Sequence, residues 1–357
     1  MLRKKNDIIN MYFATHRTCN MNCKYCYVPE YNRFEKNVKD EDIILSLNQF
    51  IKKVEEENFA IGSFCFHGSE PSLMSAQTLA KAVIIINDHW KKSGIDEFNV
   101  AIQSNGKRFT RDYLGEVLDI IQNPKLLKLG FSIDPPAQVH NSIRDNSYNI
   151  VYQNYLNAQE LGFPTSVLSV VSQMTMNYLD DYANWMKKEL IKSNNHNNPY
   201  CLKIKFATGD MALAEEMILE FSDYLIMEDL LSLPQMLTPG YCIHDGNDCM
   251  WFEFDINGNC YSCNKAYNDE GIFSNWKNDS FKKIFEKRRK LYNLHFTNSE
   301  CSECEFEFIC NSGCPMDRIK DGAMNGKAHE CTMIKRIYGY IMNSTDKNLI
   351  EFYNNNF

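Results

Sequence analysis

No apolar run in this 357-residue chain is long enough to span a membrane. The nearest candidate, Ala80-Lys81-Ala82-Val83-Ile84-Ile85-Ile86-Asn87, is interrupted by charge and reads as a buried helix. Nor is there a secretory signal. Met1-Leu2-Arg3-Lys4-Lys5-Asn6-Asp7 is positively charged, but a short strand without a cleavage-like site follows it. A cytoplasmic location and no membrane partner are therefore expected. Basic excess is missing too: the net charge of −8 argues against a nucleic-acid partner and permits a basic peptide. Internal repeats are absent. The 44% hydrophobic content is that of a globular protein, and the length suggests one large and one small domain. What the chain has in quantity is cysteine, fourteen in all. Without an export signal, their short spacings point to metal ligation rather than disulfides.

Three of them, Cys19, Cys23 and Cys26, stand at C-x3-C-x2-C directly after the apolar run Ile8-Ile9-Asn10-Met11-Tyr12-Phe13-Ala14, which reads as a strand. Thiolates are the usual ligands of iron–sulfur clusters, and a cubane takes four. Three on one tight loop can hold three irons and leave the fourth open to a small molecule. A zinc knuckle is the alternative, although zinc sites commonly pair cysteines as C-x2-C. The loop resembles that of the radical S-adenosylmethionine (SAM) family, in which the open iron binds the amino and carboxylate groups of SAM. Tyr25 fills the family's aromatic position.

Downstream, strand and helix patterns alternate six times, with strands expected near residues 60–66, 98–102, 126–133, 166–171 and 201–206. Such alternation implies right-handed βαβ units and a parallel sheet covered by helices. The resemblance makes this a partial (β/α)6 TIM-like barrel of α/β class, with the site at the C-terminal ends of the strands. Pro234 and Pro239-Gly240 mark the expected boundary. The core domain would cover residues 1–235, a small cysteine-rich domain 236–340 and a tail 341–357.

Gly68-Ser69-Glu70-Pro71 resembles the family's Gly-Gly-Glu-Pro turn, which implies backbone contact with the SAM ammonium and a charge-assisted hydrogen bond to Glu70. Ser132, in Ser132-Ile133-Asp134-Pro135-Pro136, is the candidate for the SAM carboxylate or ribose, and Arg144 matches an arginine that reaches the carboxylate. Asn105 and Gln103 could touch SAM or substrate, or cap the following helix.

The remaining cysteines form a second array. Cys242, Cys249 and Cys263 precede Cys301-x2-Cys304-x5-Cys310-x3-Cys314, and Cys331 follows. This resembles the SPASM domain of radical SAM enzymes that modify peptides and proteins, in the layout of anaerobic sulfatase-maturating enzymes. Two zinc sites are the alternative. The resemblance implies two auxiliary [4Fe-4S] clusters beside the SAM-binding one. Cys242, Cys249, Cys263 and Cys314 would hold one auxiliary cluster, and Cys301, Cys304, Cys310 and Cys331 the other. Packing is the expected role of Cys65, Cys201 and Cys260.

The implied reaction is a net two-electron oxidation of a peptide substrate, started by a 5′-deoxyadenosyl radical and fed by a reductant such as flavodoxin or ferredoxin. In sulfatase-maturating relatives an aspartate, the proposed general base, follows the cysteine matching Cys263. Here that residue is Asn264, which accepts no proton at neutral pH. Asp134, Asp210 or Asp255 could supply a base from elsewhere. Relatives also carry a second aromatic after the position of Tyr27, where this chain has Val28. The two departures favour a maturase that forms a thioether or carbon–carbon crosslink in a ribosomally made peptide, with formylglycine formation as the alternative. A cluster-bearing redox or scaffold protein without SAM turnover is the third reading. Only 18 residues precede Cys19, so no N-terminal leader-binding domain is expected.

Overall fold

The computed structural model describes residues 8–26, 28, 38–95, 99–195, 202–231, 251–266, 269–293, 299–314, 316, 327–328 and 330–347. Tyr27, Cys201, Cys242, Cys249 and the expected boundary at 234–240 lie outside them. The chain divides into two units: Met1–Ser132 with Ser147–Ser166 and Met250–Lys290, and Ile133–Asn146 with Val167–Cys249 and Leu291–Phe357. This division differs from the single cut expected at residue 235, because the strand that opens the later segment joins the sheet of the first unit.

In the first unit β1 (Ile8–Ala14), β2 (Ala60–His67), β3 (Val100–Ser104) and β4 (Leu127–Ser132) each precede a helix or lie between helices. Parallel ladders join β1 to β2, β2 to β3 and β3 to β4. The helices α1 (Asp40–Glu56), α2 (Ala76–Ser93) and α3 (Arg111–Ile121) follow β1, β2 and β3, and α5 (Tyr148–Glu160) belongs to the same unit. Local chemistry sets their limits. Asp40, Glu41 and Asp42 place negative charge at the N-terminus of α1, where the helix dipole favours it. Ser75 and Thr110 accept backbone hydrogen bonds as N-caps of α2 and α3. Gly94, at φ +67°, closes α2 in the left-handed conformation. On α1 the buried residues Ile43, Leu47, Phe50, Ile51 and Val54 recur at helical spacing, so one face meets the sheet.

β7 (Trp251–Asp255) pairs in parallel with β1, and β8 (Asn259–Tyr261) and β9 (Ile272–Asn275) extend that edge by antiparallel pairing. The register sets Ala14 opposite both His67 and Asp255. Alternation along the strands then sorts the side chains. Phe13, Phe64, Phe66 and Phe254 share the face that packs on helices, with Phe50 5.9 Å from Phe13 and 5.0 Å from Phe254 between ring centroids. Burying one such ring contributes about 1.5–3 kcal/mol. The opposite face carries Tyr12, His67, Trp251 and Glu253, with Tyr12 5.1 Å from His67 and 4.8 Å from Trp251.

The second unit takes in β5 (Thr165–Val171) from Val167 onward, and Val167–Val171 pairs in parallel with β6 (Leu202–Phe206). Its helices include α4 (Ala137–Ile143), α6 (Leu179–Asn195), α7 (Glu215–Met227) and the helix Cys331–Met342. Ion pairs Lys205–Glu330 at 3.3 Å and Arg336–Asp223 link the last helix region to β6 and α7. The short α4 was not anticipated. Pro135 and Pro136 punctuate the sequence there, but Val139, His140 and Ile143 supply enough buried surface for two turns.

Candidate active site

The cysteine loop of the first unit begins where β1 ends, and the turn after β2 holds it. Glu70 N–H donates to the Thr18 carbonyl at 3.1 Å, and Ser69 Oγ donates to the Arg17 carbonyl at 2.8 Å. His16 Nε2 lies 2.7 Å from the Glu70 carbonyl. Arg17 reaches Tyr261 Oη at 2.7 Å, which ties the loop to β8. Asn105 Nδ2 donates to Asn20 Oδ1 at 2.7 Å and approaches Cys19 Sγ at 3.8 Å. Four residues outside the loop, Ser69, Glu70, Asn105 and Tyr261, thus fix its backbone or side chains.

Cys19, Cys23 and Cys26 are each partly exposed. Burial pushes the Cys19 thiol up to about 12, with the Glu70 carboxylate and then Cys23 and Cys26 adding to the shift. A thiol so placed ionises readily only beside compensating positive charge, which iron supplies. The three-thiol donor set on one braced loop fits a cubane with one open iron.

Gly68 stands at φ +107°, and a Cβ there would come 3.0 Å from Ala14 Cβ, so the turn needs glycine. Glu70 is buried. Its Oε1 accepts from Ser72 N at 3.0 Å, Ser72 Oγ at 2.6 Å and Ser104 Oγ at 2.7 Å. Its Oε2 accepts from Asn105 N at 2.7 Å. The carboxylate therefore clasps the ends of β2 and β3. Burial raises its pKa and these four donors oppose that rise. Ser132 Oγ accepts from Gln103 Nε2 at 3.0 Å. Tyr25 is partly buried in the same loop.

Below these residues, on the face shared by Tyr12 and His67, lies a group the sequence did not single out. Glu253 is fully buried, and neither carboxylate oxygen has a hydrogen-bond partner among the described residues. Its Oε2 is 3.9 Å from His67 Nδ1. The Asn264 Nδ2 lies 3.4 Å from His67 Nε2, and Cys263 Sγ contacts Asn264 Oδ1 at 2.9 Å. Asp255, expected as a base candidate, has its oxygens engaged by Asn257 N, Asn259 N, Asn259 Nδ2 and Tyr261 Oη. It shapes the β7–β8 turn. Cys65 and Cys260 are buried, each with its thiol directed at a carbonyl, Phe66 and Gly258 respectively.

In the second unit Asp134, Arg144 and His140 meet. Asp134 Oδ1 accepts from Val170 N at 2.7 Å, and Oδ2 lies 3.8 Å from Arg144 Nη1. Asp134 N donates to His140 Nδ1 at 3.2 Å, so that nitrogen is unprotonated. Burial and then the Arg144 charge push His140 down to about 3. Asp210 sits on an exposed turn, away from such a network.

Cys301, Cys304, Cys310 and Cys331 line one cavity of this unit, with Lys327 and Lys335 among its walls. A Cys304 N–H bond to the Cys301 carbonyl at 3.2 Å makes the first pair a turn. After Cys310, Asn311, Ser312 and Gly313 all adopt positive φ and reverse the chain. Burial pushes Cys310 up to about 11, and Cys331, Cys304 and Cys301 add to it. Four thiols around one cavity fit a second cubane. Cys314 is buried and does not line this cavity. Among the described residues, no three Cys, His, Asp or Glu side chains converge on a single-ion geometry. A cubane, by contrast, gives each thiolate its own iron.

Residues 14–186 match the Radical SAM superfamily. A cysteine-type anaerobic sulfatase-maturating enzyme of Clostridium perfringens is 23% identical over 357 residues, covering 90% of this chain and 93% of its own length. A serine-type anaerobic sulfatase-maturating enzyme of Bacteroides thetaiotaomicron is 23% identical over 84% of this chain and 81% of its own. Among solved structures, anSMEcpe with bound AdoMet and Kp18Cys peptide superposes with a TM-score of 0.76 at 19% identity, over 98% of this chain and 99% of that one. Streptococcus suis SuiB bound to precursor peptide SuiA gives 0.60 at 12% identity, over 90% and 75%. The fold is thus the expected α/β partial (β/α)6 barrel, and the cysteine-rich C-terminal region fits the SPASM pattern.

Proposed function

We propose that this chain, which carries a radical SAM domain over residues 14–186, is an anaerobic sulfatase-maturating enzyme that oxidises a cysteine or serine of a protein substrate to formylglycine. The observation that carries this reading is the extent of the likeness. It runs over 90% of this chain and nearly all of the Clostridium perfringens relative, through the cysteine-rich C-terminal part and far beyond residue 186. Peptide crosslinking, favoured by the sequence because of Asn264 and Val28, rests on two single-residue departures and weighs less against a match of that length. It stays as the second reading for the same reason: the residue expected to act as base is an amide.

Cys19, Cys23 and Cys26 would hold the SAM-binding [4Fe-4S] cluster. Cys301, Cys304, Cys310 and Cys331 would hold one auxiliary cluster, and Cys242, Cys249, Cys263 and Cys314 the other. When bound and reduced, the first cluster and SAM supply a carbon radical able to take a hydrogen atom from an unactivated carbon. The protein residues orient and exclude. Glu70, Asn105 and His16 brace the cysteine loop, Gly68 lets the β2 turn approach closely, and Ser132 and Arg144 are the contacts proposed for the cofactor's polar groups. Glu70, Asn105, His16 and Arg144 are buried, and buried walls would help to keep water from the reacting carbon. Ferredoxin or flavodoxin would deliver the electron, and the substrate is a peptide segment. Among the described residues no helix is long and apolar enough to cross a membrane, which is compatible with the proposed cytoplasmic location.

The test is turnover of anaerobically reconstituted, reduced protein with SAM and synthetic peptides containing cysteine or serine, followed by mass spectrometry. Conversion of the target residue to an aldehyde supports the proposal. Loss of two hydrogens moves the assignment to crosslinking. Absence of 5′-deoxyadenosine with fully loaded clusters leaves only a redox or scaffold role.

A further inference from the structure

We infer that His67, backed by the buried carboxyl of Glu253, is the proton acceptor for substrate oxidation, in the position that Asn264 cannot serve. The inference rests on the proposed oxidation of a cysteine or serine, and three observations carry it. First, Glu253 is wholly buried with both oxygens lacking a hydrogen bond among the described residues, and His67 Nδ1 lies 3.9 Å from its Oε2. Leaving a carboxyl so placed costs folding free energy, and such groups concentrate at functional sites. Second, His67 is 13% exposed at its side chain whereas Glu253 is 0%, so the pair has an open end and a closed end. Third, the open end, Nε2, faces the amide of Asn264 at 3.4 Å. With the amide donating, Nε2 is the acceptor and the ring proton sits on Nδ1, toward Glu253. The imidazole is held in the tautomer a base requires.

Local geometry makes room for this pairing. Glu253 stands in register with Tyr12 on β1 and with Tyr261 on β8, and His67 ends β2 one step further along the same face. Gly68 follows, and a Cβ there would lie 3.6 Å from Glu253 Oε1 as well as against Ala14. Burial, reinforced by the nearby Asp255, raises the Glu253 pKa well above the usual carboxylate range.

The step balances as follows for a cysteine substrate. Removal of one hydrogen atom from Cβ leaves a carbon radical, and an oxidised auxiliary iron–sulfur cluster held by the C-terminal cysteines would supply the acceptor for its electron. The S–H bond breaks, its proton passes to His67 Nε2, and a C=S double bond forms. Water then converts the thioaldehyde to the aldehyde and releases hydrogen sulfide. For serine the O–H proton takes the same route and the aldehyde forms directly.

The test uses the reconstituted holoenzyme with SAM and cysteine-containing or serine-containing synthetic peptides, measuring both 5′-deoxyadenosine and modified peptide. In His67→Gln the yield of modified peptide per deoxyadenosine should fall by about 10²–10⁴-fold, the usual contribution of a general base. Adding Asn264→Asp to that variant should restore product, because a carboxylate would then stand beside the vacated position. Imidazole added to His67→Ala should do the same, and Glu253→Gln should give an intermediate loss. A purely structural role for His67 predicts neither rescue. Unchanged coupling in His67→Gln overturns the inference, whatever the product. If wild type yields a peptide short of two hydrogens instead of an aldehyde, the formylglycine reading fails alone, since crosslinking also releases a proton and His67→Gln must still uncouple it. If wild type modifies none of the peptides, both fall together.

Discussion

Replacing Glu70 by glutamine tests whether the buried carboxylate organises the site. Two of its donors are backbone N–H groups that cannot turn away, Ser72 N on Oε1 and Asn105 N on Oε2. The other two are serine hydroxyls, which can rotate to accept instead. Glutamine offers one carbonyl oxygen, so one backbone N–H must face an NH2 group. Orphaning a buried N–H costs about 1–3 kcal/mol. Relief of the buried charge offsets part of this, because burial already raises the pKa of the carboxyl. Hydrogen exchange reads the result directly. At about 1.4 kcal/mol per tenfold, protection of the Asn105 or Ser72 amide should drop about 5- to 150-fold. SAM cleavage should slow as well, since Asn105 holds Asn20 and approaches Cys19. Glu70→Ala removes all acceptors and orphans both backbone N–H groups, which should cost about 2–6 kcal/mol. Unchanged protection at both amides in Glu70→Gln would refute the ionised clasp and show that a neutral acceptor suffices.

Cys19→Ala should abolish deoxyadenosine formation, whereas Cys301→Ala should keep some and lose modified peptide; equal deoxyadenosine from wild type and Cys19→Ala would contradict the assignment of the loop. Iron analysis of reconstituted protein should give about twelve irons per chain if all three sites hold cubanes, and about four if only the first loop does. Gly68→Ala forces a side chain into φ +107° against Ala14 and should destabilise the first unit by about 1–3 kcal/mol, seen as a lower urea midpoint. His140 supplies a pH test. Its pKa is about 3 in the folded chain and near 6.5 when unfolded, so the unfolded state binds the extra proton between these values. That contribution to stability is complete above pH 6.5 and shrinks as pH falls, by about 2 kcal/mol at pH 5. In His140→Gln the difference in unfolding free energy between pH 7 and pH 5 should be smaller by that amount.

The parts of this protein that the sequence determined by itself are those encoded by neighbours along the chain. Cysteine spacing named the cluster loop and the later array without any coordinates. The strands at Ile8–Ala14, Ala60–His67 and Leu127–Ser132 fell within a residue or two of expectation, because hydrophobic period and cap residues are local signals. Tertiary structure decided what depends on register. Glu70 reads in sequence as a ligand for SAM; that its oxygens also accept from Ser104 and Asn105, more than thirty residues away, follows from the alignment of β2 with β3. Trp251-Phe252-Glu253-Phe254-Asp255 shows an acid inside an alternating apolar run, a signal that could have marked Glu253 as inward-facing. Its significance needed β7 to lie beside β1, which no spacing predicts, since a strand's neighbour is chosen by the packing of the whole sheet. Only then do His67 and Glu253, 186 positions apart in the chain, come within 3.9 Å.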